Sequence, residues 1–338
     1  MFVKRKKIRL YGGVLLKILV YVSTFYFLYQ SLFNDEIKPE IWFSELMHLV
    51  RHTAGIYVLA ALILIFFNWG LEAKKWQKLA VKVEPISFWQ AYRAVLVGIC
   101  LGFITPNRIG DYAGRIMALQ SRQRLDAVGA IFLGRFCQLF ITVAMGSVSL
   151  FYFLYNFLNL PGAVLLGLAS SLIIVNAFLF LLFFQPGIMV TAATALPFAK
   201  TLIRYITVIS TYSASELSVV LQLSLWRYGI FLSQFMLLLY AFGIHLSWWQ
   251  LALGVSSTFL LKSVVPSISA LSDLGMRELS AMFFFSLLNQ NKLLVMSASL
   301  SLWFINIALP SLVGLIFVWQ LKIKSSRIKQ KNKFISVS

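Results

Sequence analysis

Charge is scarce in this chain. Charged side chains make up 12% of 338 residues, with 11 acidic against 30 basic, and there are only two cysteines and three histidines. Each scarcity excludes something. No GxSxG elbow, HExxH helix, GxxxxGK[ST] loop or CxxC pair occurs, so the common hydrolase, zinc-protease, P-loop and dithiol chemistries have no local signature. The four aspartates, Asp35, Asp111, Asp126 and Asp273, are too far apart to form a local metal-binding pair for glycosyl or phosphoryl transfer. Only residues distant in sequence could assemble a catalytic site, and the chain is not expected to be an enzyme. Cys100 and Cys137 sit in apolar helical contexts and read as buried small hydrophobes, without a disulfide framework. Glu45, His48 and His52 have acceptable metal spacing, but an amphipathic segment explains them, and no metal or cofactor is assigned.

Apolar surface is what the chain has in abundance. Hydrophobic residues are 60% of the sequence and aromatics 15%, with a mean hydropathy of +0.83. One soluble core of this size cannot bury so much, and the composition is that of a membrane protein. Phe136 to Ala199 contains no charge at all and is long enough for two crossings and a turn. The runs are continuously apolar and do not alternate, which fits helices and not a barrel. The formal charge of +19 does not point to nucleic acid, because the basic residues gather at the ends and in short loops. There they set topology and meet lipid headgroups.

The basic ends, residues 1–10 (MFVKRKKIRL) and 321–338, are both expected in the cytoplasm, with one membrane domain over 11–320. Gly12 to Phe33 is too long for a signal peptide and lacks a cleavage site, so it reads as a retained first helix over about 11–33. Further crossings are expected at about 53–70, 127–156, 163–184, 217–243 and 293–320, with LEAKKWQKLAVKVEP as a cytoplasmic loop after the second. Two stretches break this pattern, at about 89–124 and 248–290. The fold expected is therefore an all-α polytopic membrane protein of about six full transmembrane helices plus two re-entrant broken-helix hairpins in an inverted repeat.

The first broken stretch contains LGFITPNRIGDYAGR, residues 101–115. Pro106 removes a backbone donor, while Gly102, Gly110 and Gly114 permit sharp turns. Broken backbone at membrane depth is tolerated only where it is buried in protein or lines a wet cavity. Ionisable groups there are costly unless paired or solvated, which makes them functional candidates. Arg108 and Arg115 offer the fork geometry that grips a phosphate, with Asp111 holding one of them. The second stretch, KSVVPSISALSDLGMRE, places Lys262, Asp273, Arg277 and Glu278 between apolar limbs, where ligand contact and a mutual ion-pair network are both open readings. Arg135 and Arg227 lie near helix interiors, where one facing the cavity is an open reading and a structural partner such as Glu216 or a backbone carbonyl is the expected one.

GFITPNRIGDYAGR and PSISALSDLGMRE together resemble the two motifs of the lysylphosphatidylglycerol synthase transmembrane region, a flippase-like membrane family. The resemblance implies a multi-pass bacterial inner-membrane protein that binds or moves lipids, its two broken hairpins meeting at a central cavity. By matching position, Thr105, Pro106, Arg108, Gly110 and Arg115 carry over from the first motif, and Pro266, Gly275, Arg277 and Glu278 from the second. Leu271, Ser272 and Asp273 stand where the second motif often has Pro-Gly-Gly. Only about 18 residues follow the last expected helix, so a synthase domain is not expected in this chain. The implied function is a lipid translocase or lipid-binding transporter for an anionic or phosphate-linked lipid. The expected lipid contacts are Thr105, Arg108, Asp111, Arg115, Arg277 and Glu278, and the expected hinges are Pro106, Gly110, Gly114, Pro266 and Gly275. Two alternatives stay open: a membrane-embedded enzyme or accessory subunit acting on phospholipid or polyprenyl-phosphate headgroups, and a scaffold for a separately encoded synthase.

Overall fold

The computed structural model describes residues 54–194, 207–264 and 270–320, together with the isolated positions 22, 26, 44, 47 and 203. Apart from those isolated positions, the expected first helix and the Glu45, His48 and His52 segment lie outside the described residues, as do Pro266, both basic ends and the side chains of Pro106 and Asp273. Every regular element among the described residues is helical. In chain order they are α1 (Gly55–Ala80), α2 (Phe88–Phe103), α3 (Ile109–Ala118), α4 (Ala127–Phe157), α5 (Gly162–Phe184), α6 (Pro186–Thr194), α7 (Ala214–Ala241), α8 (Trp248–Val264), α9 (Ala270–Leu287), α10 (Lys292–Trp303) and α11 (Leu309–Gln320).

Among the described residues, four stretches are long and apolar enough to cross a membrane: Gly55–Ala80, Arg124–Phe157, Gly162–Phe184 and Lys292–Trp319. The protein is a multi-pass, membrane-embedded helical protein. Helix α5 shows why no water-soluble fold would serve: of its 23 residues only Phe183 is buried. Its apolar sides would have no solvent but lipid.

The central pair is α1 and α7. Tyr57 packs edge-on against Tyr240 with ring centroids 4.9 Å apart, and Gln234 donates to the Ala61 carbonyl at 2.8 Å. Arg227 lies over Trp69 at 5.1 Å, and the Tyr212 hydroxyl, just before α7, donates to the Leu79 carbonyl at 2.6 Å. Rising numbers on one helix meet falling numbers on the other, so the two run antiparallel. Helix α1 also runs ten residues past the end expected from the sequence. Leu71 to Ala80, read as part of a cytoplasmic loop, is helical, and Glu72, Lys75 and Trp76 within it are buried.

Around this pair the same order of elements occurs twice. A long helix, a short hairpin and a further helix make up α1, α2–α3, α4, and again α7, α8–α9, α10–α11. Ser87-Phe-Trp-Gln opens α2 and Ser247-Trp-Trp-Gln opens α8, 160 residues later, the same interval that separates Pro106 from Pro266. Both serines cap their helices: Gln90 N donates to Ser87 Oγ at 3.3 Å and Gln250 N to Ser247 Oγ at 3.3 Å. Each glutamine reaches back to the serine backbone N–H, at 2.8 and 3.3 Å, which closes a capping box. The first limb of each hairpin packs on the last helix of the other half, α2 on α11 and α8 on α4. Small residues make that approach close: a Cβ on Gly314 would come within 2.3 Å of the Leu96 carbonyl oxygen. On the other side Ser149 of α4 donates to the Leu253 carbonyl and lies 2.5 Å from Ser257 Oγ.

The break in the first hairpin falls where the sequence put it, but a different device makes it. Asn107 (φ 50°) and Arg108 (φ 55°) adopt left-handed backbone, and the glycines do not. Gly110 and Gly114 are helical residues of α3, and their lack of a side chain serves packing. A Cβ on Gly110 would stand 2.0 Å from the Leu101 carbonyl oxygen, and one on Gly114 2.6 Å from Gly98 N. Thr105 joins the limbs, its hydroxyl donating to the Leu101 carbonyl at 2.8 Å and accepting from Gly110 N at 2.7 Å. Gly275, by contrast, sits inside α9 with open space around it. Between α10 and α11, Phe304–Ala308 form a π-helical turn. Pro310 has no N–H for the Asn306 carbonyl four residues back, which favours such a bulge.

Candidate functional site

Four helices bring charged groups together beside the break. Three of them contribute residues three or four apart, hence on one face: Glu72 and Lys75 from α1, Asp111 and Arg115 from α3, Arg135 and Gln138 from α4. Arg227 adds a single side chain from α7. Glu72 is the hub. Its Oε1 accepts from Arg115 Nη2 at 2.9 Å, and its Oε2 lies 2.8 Å from Lys75 Nζ and 3.4 Å from Arg227 Nε. Asp111 takes the other side of Arg115, with Nε to Oδ1 at 3.1 Å, and binds Arg135 Nη2 through Oδ2 at 2.5 Å. Gln138 Oε1 accepts from Lys75 Nζ at 3.4 Å and from Arg227 Nη1 at 3.2 Å.

Burial divides the cluster into a floor and a rim. Glu72, Lys75, Asp111 and Arg115 are between 2% and 6% exposed, whereas the Arg135 and Arg227 side chains retain 35% and 20% of their accessible surface. Taking each ion out of water costs several kcal/mol, so the floor is sustained only by these mutual contacts. Aromatic faces complete it: Arg115 lies over Trp76 at 5.7 Å, Arg135 over Tyr112 at 5.0 Å and Arg227 over Trp69 at 5.1 Å.

The cluster is not neutral. Among the described residues, four cations, Lys75, Arg115, Arg135 and Arg227, face two carboxylates, Glu72 and Asp111. Three buried donors in it, Trp69 Nε1, Trp76 Nε1 and Arg135 Nε, have no acceptor among the described residues, and Arg227 Nε meets Glu72 Oε2 only as an ion pair at 3.4 Å without a hydrogen bond. Excess positive charge with unused donors is the chemistry of an anion site. No group of three or more His, Cys, Asp or Glu suited to a metal ion occurs among the described residues.

The sequence-predicted residues separate into two places. Thr105 and Arg108 stand at the break, Thr105 holding the limbs together and Arg108 exposed. Asp111 and Arg115 lie in the cluster. Arg277 and Glu278 form a second, closed group: Arg277 donates through Nε to Ser299 Oγ at 3.0 Å and through Nη2 to Glu278 Oε1 at 3.1 Å, and Ser299 donates to Glu278 Oε1 at 3.2 Å. Helix α9 touches the 106–108 turn, so the second hairpin does meet the first at its break. Arg227 pairs with Glu72 and Gln138, not with Glu216, which is held by Lys82 at 2.8 Å.

Glu72, Lys75 and Gln138 are functional candidates that sequence reasoning missed. A signal was available: Trp69, Glu72, Lys75, Trp76 and Leu79 continue the helical spacing of α1 through a stretch that its lysines disguise as a loop. The free thiols Cys100 and Cys137 are buried, as expected.

No curated protein and no solved structure matches the chain significantly. The family model for the Lysylphosphatidylglycerol synthase TM region matches residues 10–314, nearly the full length and including both hairpins and all four helices of the charged cluster, and the chain belongs to that family.

Proposed function

We propose that this protein binds the headgroup of an anionic, phosphate-bearing membrane lipid in the charged cluster and moves that lipid across the cytoplasmic membrane. The observation that carries the reading is the excess of cations over carboxylates, four against two, beside a helix break. Family membership ties the chain to lipid metabolism or transport. Arg135 and Arg227 form the accessible rim that meets the phosphate, the floor of Glu72, Lys75, Asp111 and Arg115 holds them in position, and Arg108 at the break adds positive charge on the way in. The acyl tails remain in the bilayer.

The layout belongs to the same reading. Both hairpins enter and leave on one side of the membrane, six helices cross it, and the two halves form an inverted repeat with cytoplasmic termini. Its supports are the antiparallel α1 and α7, the doubled element order and the short hairpin limbs. Helix α2 has 16 residues, about 24 Å at 1.5 Å per residue, against an apolar thickness of about 30 Å. Arg277, Glu278 and Ser299 act as a pin that fixes the second hairpin to α10, because their charges already cancel.

Transbilayer movement of fluorescent phosphatidylglycerol and phosphatidylcholine in proteoliposomes tests this. The parent moves phosphatidylglycerol preferentially, and Arg108→Ala, at an exposed position, lowers that movement about tenfold, the worth of one charge-assisted contact. Equal movement of both lipids, unchanged in Arg108→Ala, would remove the phosphate reading.

A further inference from the structure

The composition of the cluster specifies more than an anion. We infer that it is matched to a phosphomonoester carrying close to two negative charges, in preference to the singly charged phosphodiester of an ordinary phospholipid. The inference rests on the cluster being the headgroup seat. Two observations carry it independently. The first is charge. Among the described residues Lys75, Arg115, Arg135 and Arg227 exceed Glu72 and Asp111 by two positive charges, Arg108 at the break not counted. A phosphomonoester brings about −1.5 to −2 at pH 7 and offsets such an excess more fully than a diester, whose single charge leaves at least one cation uncompensated at a largely dehydrated site.

The second is hydrogen bonding. Trp69 and Trp76 are 8% and 0% exposed, and among the described residues both indole N–H groups lack an acceptor, as does Arg135 Nε. The rings carrying two of these donors already stack on guanidinium groups, Trp69 on Arg227 and Trp76 on Arg115, so the unused donors lie among the cations. A monoester offers three strong acceptor oxygens, a diester only two unbridged ones. A buried donor left without an acceptor is destabilising, and a third oxygen relieves that. The same chemistry is presented by a lipid ending in a phosphomonoester and by free phosphate.

Mass spectrometry of the intact, detergent-solubilised full chain, titrated with phosphatidic acid or phosphatidylglycerol of matched acyl chains, tests this. Phosphatidic acid is retained at least about tenfold more tightly, the discrimination expected from one further compensated charge. Arg227→Gln brings the two lipids close to parity by weakening phosphatidic acid alone. Trp69→Phe, which keeps the ring under Arg227 but deletes the N–H, weakens phosphatidic acid several-fold and provides the same test if Arg227→Gln does not fold. Displacement by millimolar inorganic phosphate identifies the phosphate group alone as sufficient, and its failure identifies the lipid as the ligand, both with the monoester preference intact. Equal retention of the two lipids by the parent overturns the inference and leaves the anionic-lipid reading standing, and retention of neither overturns that reading itself. A monoester preference untouched by both substitutions removes it from this cluster.

Discussion

The two hairpins began as similar sequences and support different electrostatics. Each pairs its second limb with the helix that follows: Asp111 with Arg135 in the first, Arg277 with Ser299 in the second. In the first, α1 and α7 bring in Glu72, Lys75 and Arg227, and the result is an open cluster with surplus positive charge. In the second, one arginine, one glutamate and one serine satisfy each other and stay 4%, 6% and 0% exposed. A repeated backbone therefore need not repeat a site. A neutral, saturated group holds two elements together, while a charged, unsaturated one invites a ligand.

The largest difference is expected when each pair is replaced by apolar residues of similar size. Asp111→Leu with Arg115→Met removes two members of the floor that position Arg135 and should lower lipid movement about 100-fold, the loss expected when the groups that meet a ligand are misplaced by about 1 Å. Arg277→Met with Glu278→Leu should leave movement within about twofold and stability within about 1 kcal/mol, since replacing a complete buried pair is often neutral. A transport loss in the second double variant would place Arg277 and Glu278 in the lipid site as well.

Removing a single acid sharpens the comparison through stability. Glu72→Gln leaves Lys75, Arg115 and Arg227 without their shared carboxylate and should cost about 3–5 kcal/mol, read as a lowered Tm in detergent. Glu278→Gln faces one cation, which keeps Ser299 as a partner, and should cost about 1–3 kcal/mol. Comparable losses would mean that the hub role of Glu72 is overstated.

Backbone packing gives smaller effects. Gly114→Ala forces the limbs of the first hairpin apart and should cost about 1–3 kcal/mol. Gly275→Ala meets open space inside a helix and should stabilise by up to about 1 kcal/mol. Smallest, and equal in both halves, are the capping serines: Ser87→Ala and Ser247→Ala should each cost about 1 kcal/mol. A clear inequality between them would show that the repeat in sequence is not a repeat in energetic role.

What the sequence by itself determined was whatever depends on neighbours along the chain. Long charge-free runs specified a helical membrane protein, because backbone polar groups in lipid must be paired within a segment. Thr105, Pro106 and Gly110 located the first break to within a residue or two, and Asp111 and Arg115, one turn apart, were recognisable as a pair. The sequence did not say that Asn107 and Arg108 would take the left-handed backbone, or that Gly110 and Gly114 would serve limb contact and not the turn. Only the tertiary structure decided which charges meet. Glu72 and Lys75 looked like loop residues until α1 continued through them, and Arg135 and Arg227 found Asp111 and Glu72, not the expected Glu216, because α4 and α7 pack beside the hairpin. The reason is physical: apolarity and backbone breaks act locally, whereas the net charge of a site is a sum over helices far apart in sequence. Lysines 74, 75 and 78 look alike in a string of letters, and the packing of α1 buries Lys75 alone of the three.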